Sequence, residues 1–160
     1  MTDALHNTFV IERTYPKSPA RVFAAFADPA KKRRWYGEAD NHAVEAFEMD
    51  FRVGGVERAT YRLGPNTPFP GTQMINDGAY YDIVPDERII VGTSMMFSGR
   101  RISVSLITFE FQAAGGGTRL VCTHQGVFFE GSGGPEMRER GWQALFDRLA
   151  TEVGAESASA

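Results

Sequence analysis

Apolar residues near the end of the chain recur at helical spacing, whereas most of the sequence before them alternates with a period of two. Five large apolar side chains repeat at i, i+3, i+4, i+7 and i+11, which predicts one broad apolar stripe on a helix. They are Trp142, Leu145, Phe146, Leu149 and Val153. Pro135 suits the first turn of this helix, and Gly154 suits its end. Its polar side chains, Arg138 and Glu152 among them, are expected to face solvent.

Alternating residues predict strands over most of the chain before that helix. A first strand is predicted from Phe9 to Tyr15, and about six more between Ala43 and Phe128. In the second strand, Glu45, Phe47 and Met49 are expected to share one face. A long strand is predicted from Thr72 to Val84. Asn76-Asp77-Gly78 within it indicates either a bulge or a turn that splits the strand in two. Turn residues separate the strands at Gly54-Gly55, Pro85-Asp86, Ser98-Gly99 and Gly115 to Gly117.

Two short helices are predicted between the first strand and the second. Ser18-Pro19 has the residue types of a helix N-cap and first turn, and Asp28-Pro29 repeats that signal. The second helix ends near Trp35 and carries the basic run Lys31-Lys32-Arg33-Arg34, which we interpret as a solvated helix face. Strands that follow one another with hairpin-length connections form an antiparallel sheet. The predicted class is therefore α+β, with the sheet wrapped on the C-terminal helix.

Composition limits the classes of function. A chain of 160 residues forms one domain, predicted over residues 8–154 with flexible termini at 1–7 and 155–160. A net charge of −3 and the lack of a long basic stretch argue against nucleic-acid binding. Cys122 is the single cysteine, which excludes an internal disulfide and favours a reducing compartment. No signal peptide or membrane-spanning apolar segment is recognised, so a cytoplasmic protein without membrane contact is expected.

The order of these elements, together with several local motifs, resembles the START-like (SRPBCC) superfamily. Within it, the chain is most similar to the group named after the activator of the heat-shock-protein-90 ATPase. The motifs are spread from Phe9 to Val153, and their order and spacing carry the resemblance. They are Ser18-Pro19-Ala20-Arg21-Val22-Phe23, Asp28-Pro29 with Trp35, Asp50-Phe51-Arg52-Val53-Gly54-Gly55, Ile83-Val84-Pro85-Asp86-Glu87-Arg88-Ile89, Gly117-Thr118-Arg119-Leu120 and Gly141-Trp142.

The resemblance implies a helix-grip fold, with an antiparallel sheet curved around the C-terminal helix and a cavity between the two. Members of the superfamily bind lipids, sterols, plant hormones or polyketides there, and some are cyclases or hydrolases. The co-chaperone that names the group has a further domain, so the name implies a fold more than an activity. One position departs from the family pattern. An aromatic residue is common two residues after the Gly-Gly turn, but this chain has Glu57, followed by Arg58.

Two residues are the candidates for chemistry. Glu57 is either a carboxylate in the cavity or an ionised group paired with an arginine such as Arg58, Arg62 or Arg101, and we favour the pair. His124 follows Cys122 on one strand face and is either a cavity residue or a core histidine. Glu57 lies near one end of its predicted strand and His124 well inside another, so we predict that they do not form an acid–base pair. Cys122 and His124 lack further metal ligands nearby in sequence, and neither a metal ion nor a cofactor is predicted.

Three hypotheses for the function remain open. The first is non-catalytic binding of a small amphipathic or hydrophobic molecule, with a homodimer as an open alternative to a monomer. The second is a cyclase- or hydrolase-type enzyme that uses Glu57 and His124, and the third is a co-chaperone-like interaction module. The third requires an exposed patch that the pattern does not show. The predicted ligand-binding residues are Trp35, Phe47, Met49, Glu57, Tyr61, Tyr80, Met95, Phe109 and His124.

Overall fold

Seven antiparallel strands form one curved sheet in the computed structural model, which describes residues 3–39 and 41–157. Their spatial order is β1-β7-β6-β5-β4-β3-β2, so every neighbouring pair except β1 and β7 is also consecutive in the chain. The sheet and its helices confirm the predicted α+β helix-grip fold. The strands are β1 (Leu5–Tyr15), β2 (His42–Met49), β3 (Val56–Leu63), β4 (Gln73–Val84), β5 (Arg88–Phe97), β6 (Arg100–Ala114) and β7 (Gly117–Phe128).

Two short helices follow β1, as predicted, and each begins at the expected cap. Helix α1 (Pro19–Ala27) starts after Ser18, whose side chain accepts a hydrogen bond from the Arg21 N–H. Helix α2 (Pro29–Lys32) starts after Asp28, whose carboxylate accepts from the Ala30 and Lys31 N–H groups. It continues directly into a π-helical turn (Arg33–Gly37). This wider turn changes which side chains of the segment face inward.

The C-terminal helix α3 (Gly134–Ser157) covers the sheet with the predicted stripe. Trp142, Phe146, Leu149 and Val153 are all buried, and Leu145 is partly buried against them. Two side chains of β1 hold the helix in place. The Tyr15 hydroxyl donates to the Phe146 carbonyl at 3.0 Å, and the Arg13 guanidinium donates to the Gln143 carbonyl at 2.9 Å. No described helix is long and apolar enough to span a membrane.

The core lies between the inner face of the sheet, α1 and α3. Phe26 of α1 is at its centre, with its ring centroid 4.8 Å from that of Trp35 and 5.0 Å from that of Phe109. Phe109 in turn lies 5.5 Å from Trp142, so aromatic contacts run from α1 through β6 to α3. Aromatic rings bury a large apolar area each, and their contacts fix the position of both helices on the sheet.

Two local expectations are corrected. A bulge between Val44 and Ala46 interrupts the alternation of β2, so Glu45 faces outward while Phe47 and Met49 remain on the inner side. Strand β4 is neither split nor bulged at Asn76, and its bulge falls between Tyr80 and Asp82 instead. A periodic pattern shows the ideal alternation, whereas one extra residue in a strand reverses it from that point on.

Both ends of the domain extend beyond the predicted boundaries at residues 8 and 154. Strand β1 begins at Leu5, because its pairing with β7 continues to Phe128. Helix α3 continues to Ser157. Residues 1, 2 and 158–160 fall outside the described part of the chain, and the flexible termini expected there stay a prediction.

Candidate functional site

A cavity of about 780 Å³ lies between the inner face of the sheet and the first half of α3. Strands β3 to β6 form its floor, and the loops around Phe69 and Gly131 form its rim. Helix α3 contributes Met137, Gly141 and Leu145, which lie on one side of the helix at intervals of four residues. Most of the wall is apolar or aromatic, with a few polar side chains among these groups.

Strand register explains which residues reach the cavity. Asn76, Met95 and Ser103 are direct cross-strand partners on β4, β5 and β6, and all three border the cavity. Thr93 and Ser105 form the next pair that faces the same side. Because alternate residues of a strand point to the same side, these positions show that the inner face of the sheet forms the floor.

Polar groups at the inner end of the cavity are buried and incompletely hydrogen-bonded. The Asn76 amide donates to the Tyr36 hydroxyl at 3.3 Å, but Asn76 Oδ1 has no partner within the described residues. Ser105 Oγ is also buried and unpartnered there. Burial, aided by the Glu57 carboxylate, raises the pKa of the Tyr61 phenol above its usual range. Tyr61 therefore stays protonated at neutral pH and can donate a hydrogen bond into the cavity.

Arg138 brings a positive charge to the cavity wall. Its Nη2 donates to Ser103 Oγ at 2.7 Å and approaches Met95 Sδ at 3.4 Å, and its guanidinium lies 5.3 Å from the Phe128 ring centroid. No carboxylate of the described residues forms an ion pair with it. Burial lowers the pKa of Arg138, although a guanidinium remains charged at neutral pH. The expectation that this residue faces solvent is therefore wrong.

Glu57 lies beneath the cavity in a buried ion pair. Its Oε1 is 2.6 Å from Lys32 Nζ, and the two side chains are 7% and 4% exposed. The Lys32 ammonium also lies over the Tyr36 ring, 4.5 Å from its centroid. The expected pairing of Glu57 with an arginine is therefore wrong. The basic run is not simply a solvated face either, since Arg34 forms two hydrogen bonds with the buried carboxylate of Glu152.

His124 faces the inner side of the sheet but is enclosed by the core. Its ring is stacked 4.5 Å from Phe9 and lies 5.9 Å from Phe128, and the residue is fully buried. Neither ring nitrogen has a hydrogen-bond partner within the described part of the chain. Burial, with a smaller contribution from Arg138, lowers the pKa of His124 to about 4. The side chain is thus neutral at physiological pH.

The depressed pKa of His124 predicts a pH-dependent stability. The unfolded chain, with a histidine pKa near 6.5, binds a proton more readily than the folded chain does between pH 6.5 and about 4. Stability should therefore fall as the pH drops through this window, by about 3 kcal/mol in total. Urea denaturation at a series of pH values measures the effect.

Two leucine variants isolate the contribution of His124. His124→Leu should remove most of this pH dependence, whatever its effect on absolute stability. His6→Leu is the matched control, because His6 is an exposed histidine on β1. A His124→Leu profile that parallels the wild type over this window would show that His124 binds protons equally well in both states.

Glu57 and His124 lie in different parts of the fold. Glu57 is on β3 and His124 is on β7, so β4, β5 and β6 lie between them. Four interstrand steps correspond to roughly 19 Å along the sheet, which exceeds hydrogen-bond reach several times over. The arrangement offers no acid–base pair from these two residues.

Cys122 is buried in the core, as expected for a small apolar residue. Burial raises the pKa of its thiol to about 12, which makes the thiolate rare at neutral pH. Among the described residues, no group of three or more His, Cys, Asp or Glu side chains is placed to hold a metal ion.

The remaining predicted ligand-binding residues divide between cavity and core. Tyr61 and Met95 border the cavity, whereas Trp35, Tyr80 and Phe109 are buried in the core. Phe47 lies beside Gly37 of the π-helical turn, and Met49 packs against the core. The sequence analysis did not predict that Arg138, Asn76 and Gly141 border the cavity. Of these, only Gly141 gave a signal, because a glycine inside a predicted helix needs a packing or functional reason.

An antiparallel sheet gripping a C-terminal helix, with a cavity between the two, defines a START-like domain. Residues 16–154 match the family described as Activator of Hsp90 ATPase homolog 1-like protein. The chain belongs to this family. The comparison with curated proteins found no match.

Solved structures of bacterial proteins show the same architecture. A Rhizobium leguminosarum protein is 35% identical with a TM-score of 0.89, and the alignment covers 97% of this chain and 99% of that one. A Rhizobium loti protein is 43% identical with a TM-score of 0.82, and the alignment covers 94% and 99%. A Chromobacterium violaceum protein is 26% identical with a TM-score of 0.77, over 92% and 96%. The similarity thus extends over nearly the whole of each chain.

Proposed function

We propose that this protein binds a small amphipathic molecule in the cavity between the sheet and α3, without transforming it. The observation that carries the proposal is the cavity itself. Its volume of about 780 Å³ falls within the range of small-molecule sites, roughly 300–1,000 Å³. Apolar walls with a few polar groups suit a ligand that has an apolar body and a small number of polar atoms.

The polar groups of the cavity favour binding over catalysis. Glu57 is held by Lys32 beneath the floor, and the neutral His124 is enclosed by two phenylalanine rings. The cavity's other polar side chains, such as Asn76 and Ser105, are hydrogen-bonding groups that orient a ligand. A cytoplasmic location is part of the proposal, because an unpaired and buried cysteine suits a reducing compartment.

The outer face of the sheet carries an exposed apolar strip that the sequence pattern did not show. Val104 and Leu106 of β6 are 43% and 42% exposed, and Tyr81 of β4 is 65% exposed. An interaction module would need such a surface. Nothing in the described residues indicates what would cover it, so we retain small-molecule binding as the proposed function.

Filling the cavity from α3 should weaken ligand binding without unfolding the protein. A Cβ atom added at Gly141 has no other atom within 4 Å, so a side chain there enters open space. Gly141→Phe should therefore weaken binding of the neutral fluorophore N-phenyl-1-naphthylamine by at least about ten-fold, because the new ring occupies its place. Fluorescence titration measures this affinity.

Gly141→Ala provides the matched control. It should raise the free energy of unfolding by up to about 1 kcal/mol, since alanine has the higher helix propensity, and leave binding nearly unchanged. Wild-type protein that fails to bind the fluorophore would refute the proposal. Equal affinity in Gly141→Phe would place the bound fluorophore outside this cavity.

A further inference from the structure

We propose that the ligand carries an anionic group and that Arg138 binds it. The ligand class is thus an amphipathic organic anion, with its apolar body against the aromatic and methionine wall and its charged end at the guanidinium. This inference rests on the proposed function and narrows its ligand class. It assigns Arg138 the role of an anion-binding residue.

Arg138 is a half-buried cation at the cavity that has no carboxylate partner among the described residues, whereas Arg100, the other arginine at the cavity, is exposed. Ser103 Oγ and Met95 Sδ are its only hydrogen-bond acceptors within the described residues, and both accept from the same nitrogen, Nη2. A guanidinium has five N–H donors in a planar fork. Glu130 also borders the cavity but forms no ion pair with Arg138. The remaining donors of the fork are available for a bidentate acceptor.

The position of Arg138 is electrostatically unfavourable in the protein alone. It lies near the start of α3, which begins at Gly134, where the positive end of the helix dipole disfavours a cation. Burial lowers the pKa of its guanidinium, which shows that the site disfavours the charge further. The nearby His124 is neutral, so it adds no second positive charge and supplies no negative one. An anion bound next to Arg138 would offset both the unfavourable helix dipole and the cost of burying the guanidinium.

The strand register shows how a ligand anchored at Arg138 would lie in the cavity. Ser103, which holds Arg138, is the cross-strand neighbour of Met95, and Met95 is the neighbour of Asn76. A ligand anchored at Arg138 therefore lies along this row, with Tyr61 and Trp142 among the aromatic groups beside it. Charge-assisted hydrogen bonds are stronger at a partly buried site such as this one than in bulk water, because the effective dielectric constant is lower there.

A matched pair of fluorophores tests this inference. 8-Anilinonaphthalene-1-sulfonate and N-phenyl-1-naphthylamine share one aromatic skeleton, and only the first carries an anionic group. Arg138→Met should weaken binding of the sulfonate by about ten-fold or more and change that of the neutral probe by less than about two-fold. Arg138→Gln, which keeps a polar head group, should give the same selective loss. Arg140→Met is the control, because Arg140 is exposed on the same helix and does not border the cavity.

The outcomes separate this inference from the proposed function. Sulfonate affinity that is unchanged in Arg138→Met, with normal binding of the neutral probe, overturns the role of Arg138 and leaves the proposed function standing. An equal loss for both probes also overturns it, because the residue would then act through the shape of the cavity. If neither probe binds the wild-type protein, the proposed function fails and this inference fails with it.

Aliphatic competitors identify the anionic group. Decanoate, decyl phosphate and decan-1-ol share a chain length but differ in the head group. Displacement of the sulfonate probe by decanoate or decyl phosphate should occur at about ten-fold lower concentration than displacement by decan-1-ol. The stronger of the two anions then distinguishes a carboxylate ligand from a phosphate ligand. Equal potency of decan-1-ol would overturn the inference.

Discussion

Replacing Lys32 by methionine should lower the free energy of unfolding by about 3–5 kcal/mol. The reason is the burial of its partner. Glu57 is 7% exposed and lies 2.6 Å from Lys32 Nζ, so the variant leaves a carboxylate in the interior without its cation. The aromatic rings of Phe26, Trp35 and Tyr36 surround the same position and offer the carboxylate no replacement charge.

The double variant Lys32→Met/Glu57→Leu separates the value of the ion pair from the cost of breaking it. Apolar residues of similar volume often replace a buried pair without loss, so the double variant should recover most of the stability. Urea denaturation of the four proteins in this cycle gives the coupling energy. A double variant as unstable as Lys32→Met would show that packing of the lysine chain, and not the unpaired charge, accounts for the loss.

Arg33→Met is the matched surface control. Arg33 is adjacent in sequence, but its side chain is 45% exposed and its ion pair with Glu38 is 3.6 Å long. Exposed pairs of this kind contribute at most about 1 kcal/mol. If Lys32→Met costs no more than Arg33→Met, water reaches Glu57 and the pair is not buried in solution.

The sequence pattern could not predict the buried ion pair between Lys32 and Glu57. Four consecutive basic residues have the pattern of an exposed helix face, and a sequence pattern does not show tertiary partners. In the structure, the π-helical turn that follows Lys32 changes which side chains of this segment face the core. Glu57 lies on β3, 25 positions later in the chain. The ion pair therefore depends on a tertiary contact between this segment and β3. The C-terminal stripe was predictable because burial of a helix face leaves a local, repeated signal.

Cavity residues are harder to predict than core residues for a related reason. A polar side chain that faces a cavity has the same periodic position as one that faces solvent, so Arg138 was assigned to the surface of α3. The inner face of β7 was assigned more accurately, since Cys122 and His124 do share it. His124 nevertheless packs between Phe9 and Phe128, and the first of these comes from a strand at the opposite end of the chain. Alternation fixes the face of a residue but not its neighbours.

Trp142→Ala should cost about 3–5 kcal/mol, the range for removing a large buried aromatic side chain. Trp142 is 5% exposed and contacts three rings, with centroids 5.8 Å away at Tyr36, 5.5 Å at Phe109 and 5.5 Å at Phe146. It also separates the large cavity from a void of about 10 Å³ beside Glu57. Truncation would therefore join the two spaces, and the helix could not close the gap without leaving β1.

Trp142→Phe tests whether the cost of Trp142→Ala comes from removing an aromatic ring at this position or from removing the indole in particular. Phenylalanine keeps the ring contacts and part of the volume, so its cost should be clearly below that of alanine, by about 1 kcal/mol or more. Chemical denaturation of both variants measures the difference. A Trp142→Ala cost below about 1 kcal/mol would mean that the indole is largely exposed. The stripe of α3 would then not be what holds the helix on the sheet, because Trp142 is its largest member.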